Sequence, residues 1–231
     1  MDPRFRSRLV ATIILLVVVC SAFSVSQVAG FRLENRDGSG TAAALAEALV
    51  LQQSTKIREE FIENLTVYID SQNKVFEQDP SGHALGLYVP EENAIYIRSD
   101  QHPERADDVF TEQVGYRVYH SMGFKKSKVF PTLIANPGSY LAQVSPPAGE
   151  EREAALFANA FMLYHISPDL LKEDAPTIYT YMDLLVKSGG DRTTVDDLYA
   201  RLEEPGTSLF CGLVRQGLLH RLSVTAPPIE I

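Results

Sequence analysis

The 231 residues carry 21 Lys and Arg against 30 Asp and Glu, a formal net charge of -9, with 45% hydrophobic and 22% charged side chains. That balance fits one globular domain with short appendages, and it excludes a dedicated nucleic-acid or anionic-lipid surface, which needs clustered cations to displace counterions. The one short basic cluster, Lys125, Lys126 and Lys128, is expected to solvate a helix exit, and no internal repeat occurs.

In chain order, Arg4, Arg6 and Arg8 precede an uncharged run, residues 9–31, whose first half is almost purely aliphatic. Residues 1–30 therefore read as a signal peptide or an N-terminal membrane anchor. Ser21, Ser24, Ser26 and Gln27 favour cleavage, after Ser26 or Ala29. In either case the domain is expected outside the cytoplasm, secreted or held at the membrane by that segment alone. Val19 before Cys20 does not suit a lipoprotein. With Cys20 in the leader, Cys211 is the single remaining thiol and reads as a core residue, so no internal disulfide can form.

Residues 31–40 are polar and Gly-containing and read as a linker. From residue 41 to about 71, Ala44, Leu45, Ala48, Leu49, Leu51, Ile57, Phe61, Leu65, Tyr68 and Ile69 recur at helical spacing, which reads as one long packing helix or as two short ones broken at Ser54-Thr55. Asn64-Leu65-Thr66 matches the N-glycosylation acceptor pattern, but inside a helical run it reads as chance. The period then changes. Residues 83–90 and 94–98 read as two short strands joined by the polar turn Glu91-Glu92-Asn93. A helix over 106–122 follows, with Asp107 and Asp108 suited to its positive N-terminal end.

Within that helix, residues 111–124 read TEQVGYRVYHSMGF. A zinc peptidase helix needs H-E-x-x-H, because two imidazoles one turn apart meet one zinc ion while the glutamate takes a proton from its bound water. Here the aligned positions hold Glu112, Gln113, Val114, Gly115 and Tyr116. Downstream, Glu153-Ala154-Ala155-Leu156-Phe157-Ala158-Asn159-Ala160-Phe161 leads through a loop to Ala175-Pro176-Thr177 and Tyr179.

These two motifs, in this order, resemble the signatures of the anthrax lethal factor-like (ATLF-like) zinc endopeptidases, the second of which reads approximately N-E-x-E-F-F-A-E-A-F. The resemblance covers residues 84–188, and it implies an α+β, zincin-like fold, helix-rich with a small sheet. It also implies a zincin-like domain over 41–188 and a C-terminal helical extension, 189–231, packed on it. Carried over residue by residue, the first zinc histidine falls on Glu112, the catalytic glutamate on Gln113, the second histidine on Tyr116 and the third ligand on Ala155. A tyrosine expected shortly before that ligand has no counterpart, since none lies between Tyr140 and Tyr164. Gly115, Phe157, Ala158, Ala160 and Phe161 keep the packing pattern. One surviving carboxylate does not hold zinc, and a glutamine is no base near neutral pH.

The chemistry is therefore expected to be gone and the scaffold kept. Glu112, Gln113, Tyr116, His120 and Glu153 would line a former active-site cleft that binds a peptide or protein partner without cleaving it. An extended peptide is expected to pair with the strand at 94–98. No cofactor is expected. The alternative is an active zinc endopeptidase with shifted ligands Glu112, His120 and Glu153, although two helix turns separate the first two by about 12 Å. A third reading is a domain kept for assembly alone. His83, His102, His165 and His220 carry no ligand pattern. In the tail, Thr193-Thr194 are expected to cap one helix, Pro205-Gly206 to break it, and residues 208–222 to form another. Pro146-Pro147 and Pro227-Pro228 read as extended loop or terminus rather than as substrate bonds.

Overall fold

Three runs rich in β-branched and aromatic residues, FRLEN, TVYI and AIYI, form the parallel centre of one sheet. The computed structural model describes residues 25–28, 30–79, 82–143 and 150–203. Its strands are β1 (Val25–Val28), β2 (Phe31–Asn35), β3 (Thr66–Ile69), β4 (Gly86–Val89) and β5 (Ala94–Ile97), ordered β1-β2-β3-β5-β4. The inner three are parallel, with Leu33, Val67 and Ile95 in one register row, and β1 and β4 run antiparallel on the two edges. The chain is α+β, with many more residues in helices than in strands.

Two expectations are corrected here. Residues 31–40 are not simply a linker, because Phe31–Asn35 is a strand hydrogen-bonded on both sides and its Phe31 and Leu33 are buried. Nor does the helix continue to residue 71. It ends at Ser54, and a 3-10 turn over Glu59–Phe61 then leads into β3. Leu65, Tyr68 and Ile69 imitate helical spacing, but Val67 is buried between them and the alternation in β3 has a period of two. Val25–Val28, within the range read as leader or anchor, is strand β1, and cleavage after Ser26 would divide it. Residues 1–24 lie outside the described part.

The helices are α1 (Thr41–Ser54), α2 (Ala106–Ser121), α3 (Phe130–Leu133), α4 (Ser139–Gln143), α5 (Glu150–Ile166), α6 (Pro168–Asp174), α7 (Pro176–Lys187) and α8 (Arg192–Glu203). Against one sheet face, α1 and α2 bury Ala43, Ala46, Val50, Val109, Phe110 and Val114 over Leu33, Val67, Ile69, Ile95 and Ile97. The other face carries a smaller cluster of Phe76, Ala94 and Tyr96, with the Tyr68 and Tyr96 rings stacked at 4.9 Å. No described helix is long and apolar enough to cross a membrane.

α8 joins the main core through Val195 and Tyr199, and Asp196 accepts hydrogen bonds from Tyr181 and Ser127 hydroxyls. Its start is held by Asp191, not by Thr193-Thr194 acting as caps: the Asp191 carboxylate accepts the Thr194 hydroxyl, and that bond and the Thr193 and Thr194 amides hold its pKa below the usual value. The expected helix over 208–222, the Pro205-Gly206 break, Cys211, His220 and both Pro-Pro pairs lie outside the described residues.

Candidate functional site

α2 and α5 lie in direct contact with no strand between them. A glycine inside a helix costs about 1 kcal/mol relative to alanine, so Gly115 needs a packing reason. It has one: a Cβ built there would lie 2.7 Å from Ala158 Cα and 3.0 Å from its carbonyl oxygen. Around this crossing Phe61 meets Phe161 edge-on at 5.5 Å, and Tyr119 and Phe124 pack on Phe157. The spacing that resembles a peptidase signature therefore corresponds to a close helix crossing.

Gln113 faces the sheet. Its Oε1 accepts the Tyr88 backbone N–H at 2.9 Å, and the residue is only 6% exposed. Because Tyr88 N is a donor, the amide orientation is fixed by chemistry, and Nε2 is left as a donor. Arg98 N–H donates to Leu85 O, and the alternation of an antiparallel ladder then turns the Tyr88 amide away from β5, toward the open edge. Gly86 brings this edge strand against α2, since a Cβ there would collide with the Val109 side chain. The expected pairing of a peptide with 94–98 is thereby corrected: β5 is bonded to β3 on one side and β4 on the other. The edge beside α2 is β4, and Gln113 already takes its Tyr88 position.

Glu112 and Tyr116, one turn apart on α2, are half-buried. Desolvation raises the Glu112 carboxyl pKa, the Arg105 charge opposes this, and Asp108 reinforces it. Desolvation likewise raises the Tyr116 phenol, with the charges of Glu112 and Glu151 adding to it. Neither side chain makes a hydrogen bond to another described residue. Among the described residues Arg105 is the one cation acting on Glu112, and it also lies 3.8 Å from Asp108. The surroundings are thus predominantly acidic.

The remaining candidates are arranged differently from the sequence expectation. Glu151, not Glu153, is the α5 carboxylate whose charge Tyr116 feels; two residues along a helix turn a side chain through about 200°, so the two glutamates leave α5 on opposite flanks. Glu153 Oε1 is buried and makes no hydrogen bond to another described residue. His120 sits in the last turn of α2 with its ring edge-on to Tyr119 at 5.1 Å. Ala155 is buried, and its carbonyl accepts Asn159 Nδ2 at 2.9 Å. His165 bonds Phe161 O through Nδ1 at 2.9 Å, and burial depresses its pKa. His102 contacts Glu104 at 3.0 Å.

A zinc ion, which the resemblance would imply, does not fit these residues. Its three expected ligand positions hold one carboxylate, a phenol whose pKa burial raises and a methyl group, and the position of the catalytic base holds an amide. Among the described residues no three His, Cys, Asp or Glu side chains come together as a metal site, so Glu112, His120 and Glu153 are not assembled into the shifted ligand set.

Two clusters carry no sequence motif. Arg117, half-buried on α2, donates to Phe61 O at 2.6 Å, Glu63 O at 2.8 Å and Asn93 Oδ1 at 2.9 Å, and desolvation lowers its pKa. Tyr88 OH meets Ser121 Oγ at 2.7 Å, so the β4–β5 hairpin is pinned to α2 at three points counting Gln113. At the opposite ends of the strands, Asp37 accepts Ser71 N–H, Ser71 Oγ and Ser99 Oγ at 2.8, 2.5 and 2.6 Å. The turn residue Asn93 was the only local signal for any of these. Neither a protein-family model nor a curated protein matches the chain.

Proposed function

We propose that the chain is a non-catalytic, zincin-like domain that works outside the cytoplasm and holds a peptide or protein partner against the Glu112–Tyr116 face of α2. The observation that carries this reading is the pair of half-buried polar side chains, Glu112 and Tyr116, with no hydrogen bond to another described residue. Removing such groups from water costs free energy unless a partner or solvent satisfies them. Supporting it is the close Gly115–Ala158 crossing, which joins the two helices whose sequences resemble the family's signatures. Catalysis is not part of the reading, because Gln113 has no basic function and its acceptor oxygen is engaged.

The partner meets α2 through side chains rather than by extending the sheet at Tyr88, where Gln113 already bonds the outward amide. The test compares partners recovered by the folded wild-type protein and by a Glu112→Ala/Tyr116→Ala double variant, after which the affinity of one identified partner is measured for both. The reading expects at least a tenfold loss in the double variant, corresponding to about 1.4 kcal/mol. Equal affinity would place the function on another surface.

A further inference from the structure

The periodicity of residues 41–71 puts Asn64-Leu65-Thr66 inside a helix, but the fold places it elsewhere. Asn64 is exposed in the turn between the Glu59–Phe61 3-10 turn and β3, with a left-handed φ of 57°. Its backbone is fully engaged: the N–H donates to Gly30 O at 2.8 Å, and the carbonyl accepts Asn93 Nδ2 at 2.7 Å. The side-chain amide makes no hydrogen bond to any described residue. Leu65 is buried, so it anchors the turn from beneath, and Thr66 opens β3 half-exposed. The conformation at Asn64 is thus held by main-chain bonds, while the one group that could be modified stands in solvent. The residue between acceptor and Thr is not proline, and the hydroxyl sits at the required second position.

We propose that Asn64 is an N-linked glycan attachment site. In the transfer, a bond forms between Asn64 Nδ2 and the first sugar's anomeric carbon. The sugar–phosphate bond of a lipid-linked oligosaccharide donor breaks, the lipid phosphate leaves with the bonding electrons, and the amide gives up one proton. The proposal rests on the extracytoplasmic route expected from the N-terminal segment, but not on the partner face of α2. The glycan would stand beside the Asn64–Asn93 junction, where it shields the exposed tip of the β4–β5 hairpin and the main-chain bonds around it.

The test is translation of the full chain in the presence of microsomes from the endoplasmic reticulum, so that its own N-terminal segment drives entry. Protease protection reports entry, and gel mobility before and after an endoglycosidase reports the glycan. The expected result is one discrete mobility loss in the protected chain, reversed by the enzyme, absent from Asn64→Gly and Thr66→Ala, and kept by Thr66→Ser. Asn64→Gly serves as the folding control, since glycine accepts the left-handed conformation at no steric cost. A protected chain of unchanged mobility, or a shift that persists in Asn64→Gly, overturns the proposal. A chain that stays unprotected overturns it too and removes the extracytoplasmic location with it, but partner binding on α2 then still stands or falls by its own measurement.

Discussion

Gln113 Oε1 and the Tyr88 amide nitrogen, 2.9 Å apart, join the β4 edge of the sheet to the middle of α2. A glutamate at this position would accept the same bond, whereas an apolar residue would leave a peptide N–H without its partner. Gln113→Leu is therefore expected to cost about 1–3 kcal/mol. Gln113→Glu keeps the acceptor but buries a carboxylate in acidic surroundings, so it is expected to be less stable than wild type at pH 7 and to recover on acidification. Hydrogen exchange at the Tyr88 amide separates the two: protection should be retained by the glutamate and lost by the leucine, and equal protection in both would show that the bond contributes nothing.

Gly115→Ala tests the helix crossing. Helix propensity alone would reward the change by about 1 kcal/mol. The obstacle, however, is Ala158 backbone at 2.7 and 3.0 Å, which cannot rotate aside as a side-chain tip could. Overpacking of this kind costs about 1–3 kcal/mol, so a net loss in urea unfolding is expected. A stabilised variant would mean that α2 and α5 lie farther apart than described.

For Glu112 the sign of the pH dependence follows from its raised pKa. The folded state holds the proton more tightly than the unfolded state, whose carboxyl titrates near 4.5. Stability from this group is therefore greatest below about pH 4.5 and falls as pH rises through the folded value. Glu112→Gln should accordingly be more stable than wild type at pH 7, and the advantage should vanish near pH 4. Denaturation of both proteins across that interval is the measurement, and an advantage that grows on acidification contradicts the assigned environment.

Arg117→Ala should loosen the attachment of the hairpin to α2. Three acceptors lose a guanidinium partner. With charge-assisted bonds worth about 1.5–3 kcal/mol each and water able to reach the exposed Glu63 carbonyl, a loss of about 2–4 kcal/mol is expected. Arg117→Lys should recover little, because an ammonium cannot span the same fork of acceptors. Full rescue by lysine would mean that only the charge matters.

Local chemistry made part of this architecture legible and long-range pairing hid the rest. The strand–turn–strand at 86–97 and the helix from 106 follow from alternation, a polar turn and paired aspartates, all contained within a few residues. β3 was concealed because Leu65, Tyr68 and Ile69 satisfy a helical count, and only pairing with β2 and β5 decides against it. Arg117 reaches partners 54 and 56 residues away, and nothing near it in the sequence announces them. At the site, the residue types at 112, 113, 116 and 155 were readable, but their neighbours were not. Whether Glu151 or Glu153 approaches Tyr116 depends on the rotation of α5 about its axis.

The Asp37 carboxylate gathers Ser71 and Ser99 from the ends of β3 and β5, so it joins segments separated by 34 and 62 positions. A ribosome delivers these in the order 37, 71, 99, and the middle strand of the three must wait for the last before its second edge is covered. Until residue 99 has emerged, Asp37 can engage Ser71 alone, and β3 presents an open parallel edge to whatever else is nearby. Closure of the clasp thus marks the moment at which β3 stops being a template for foreign strands.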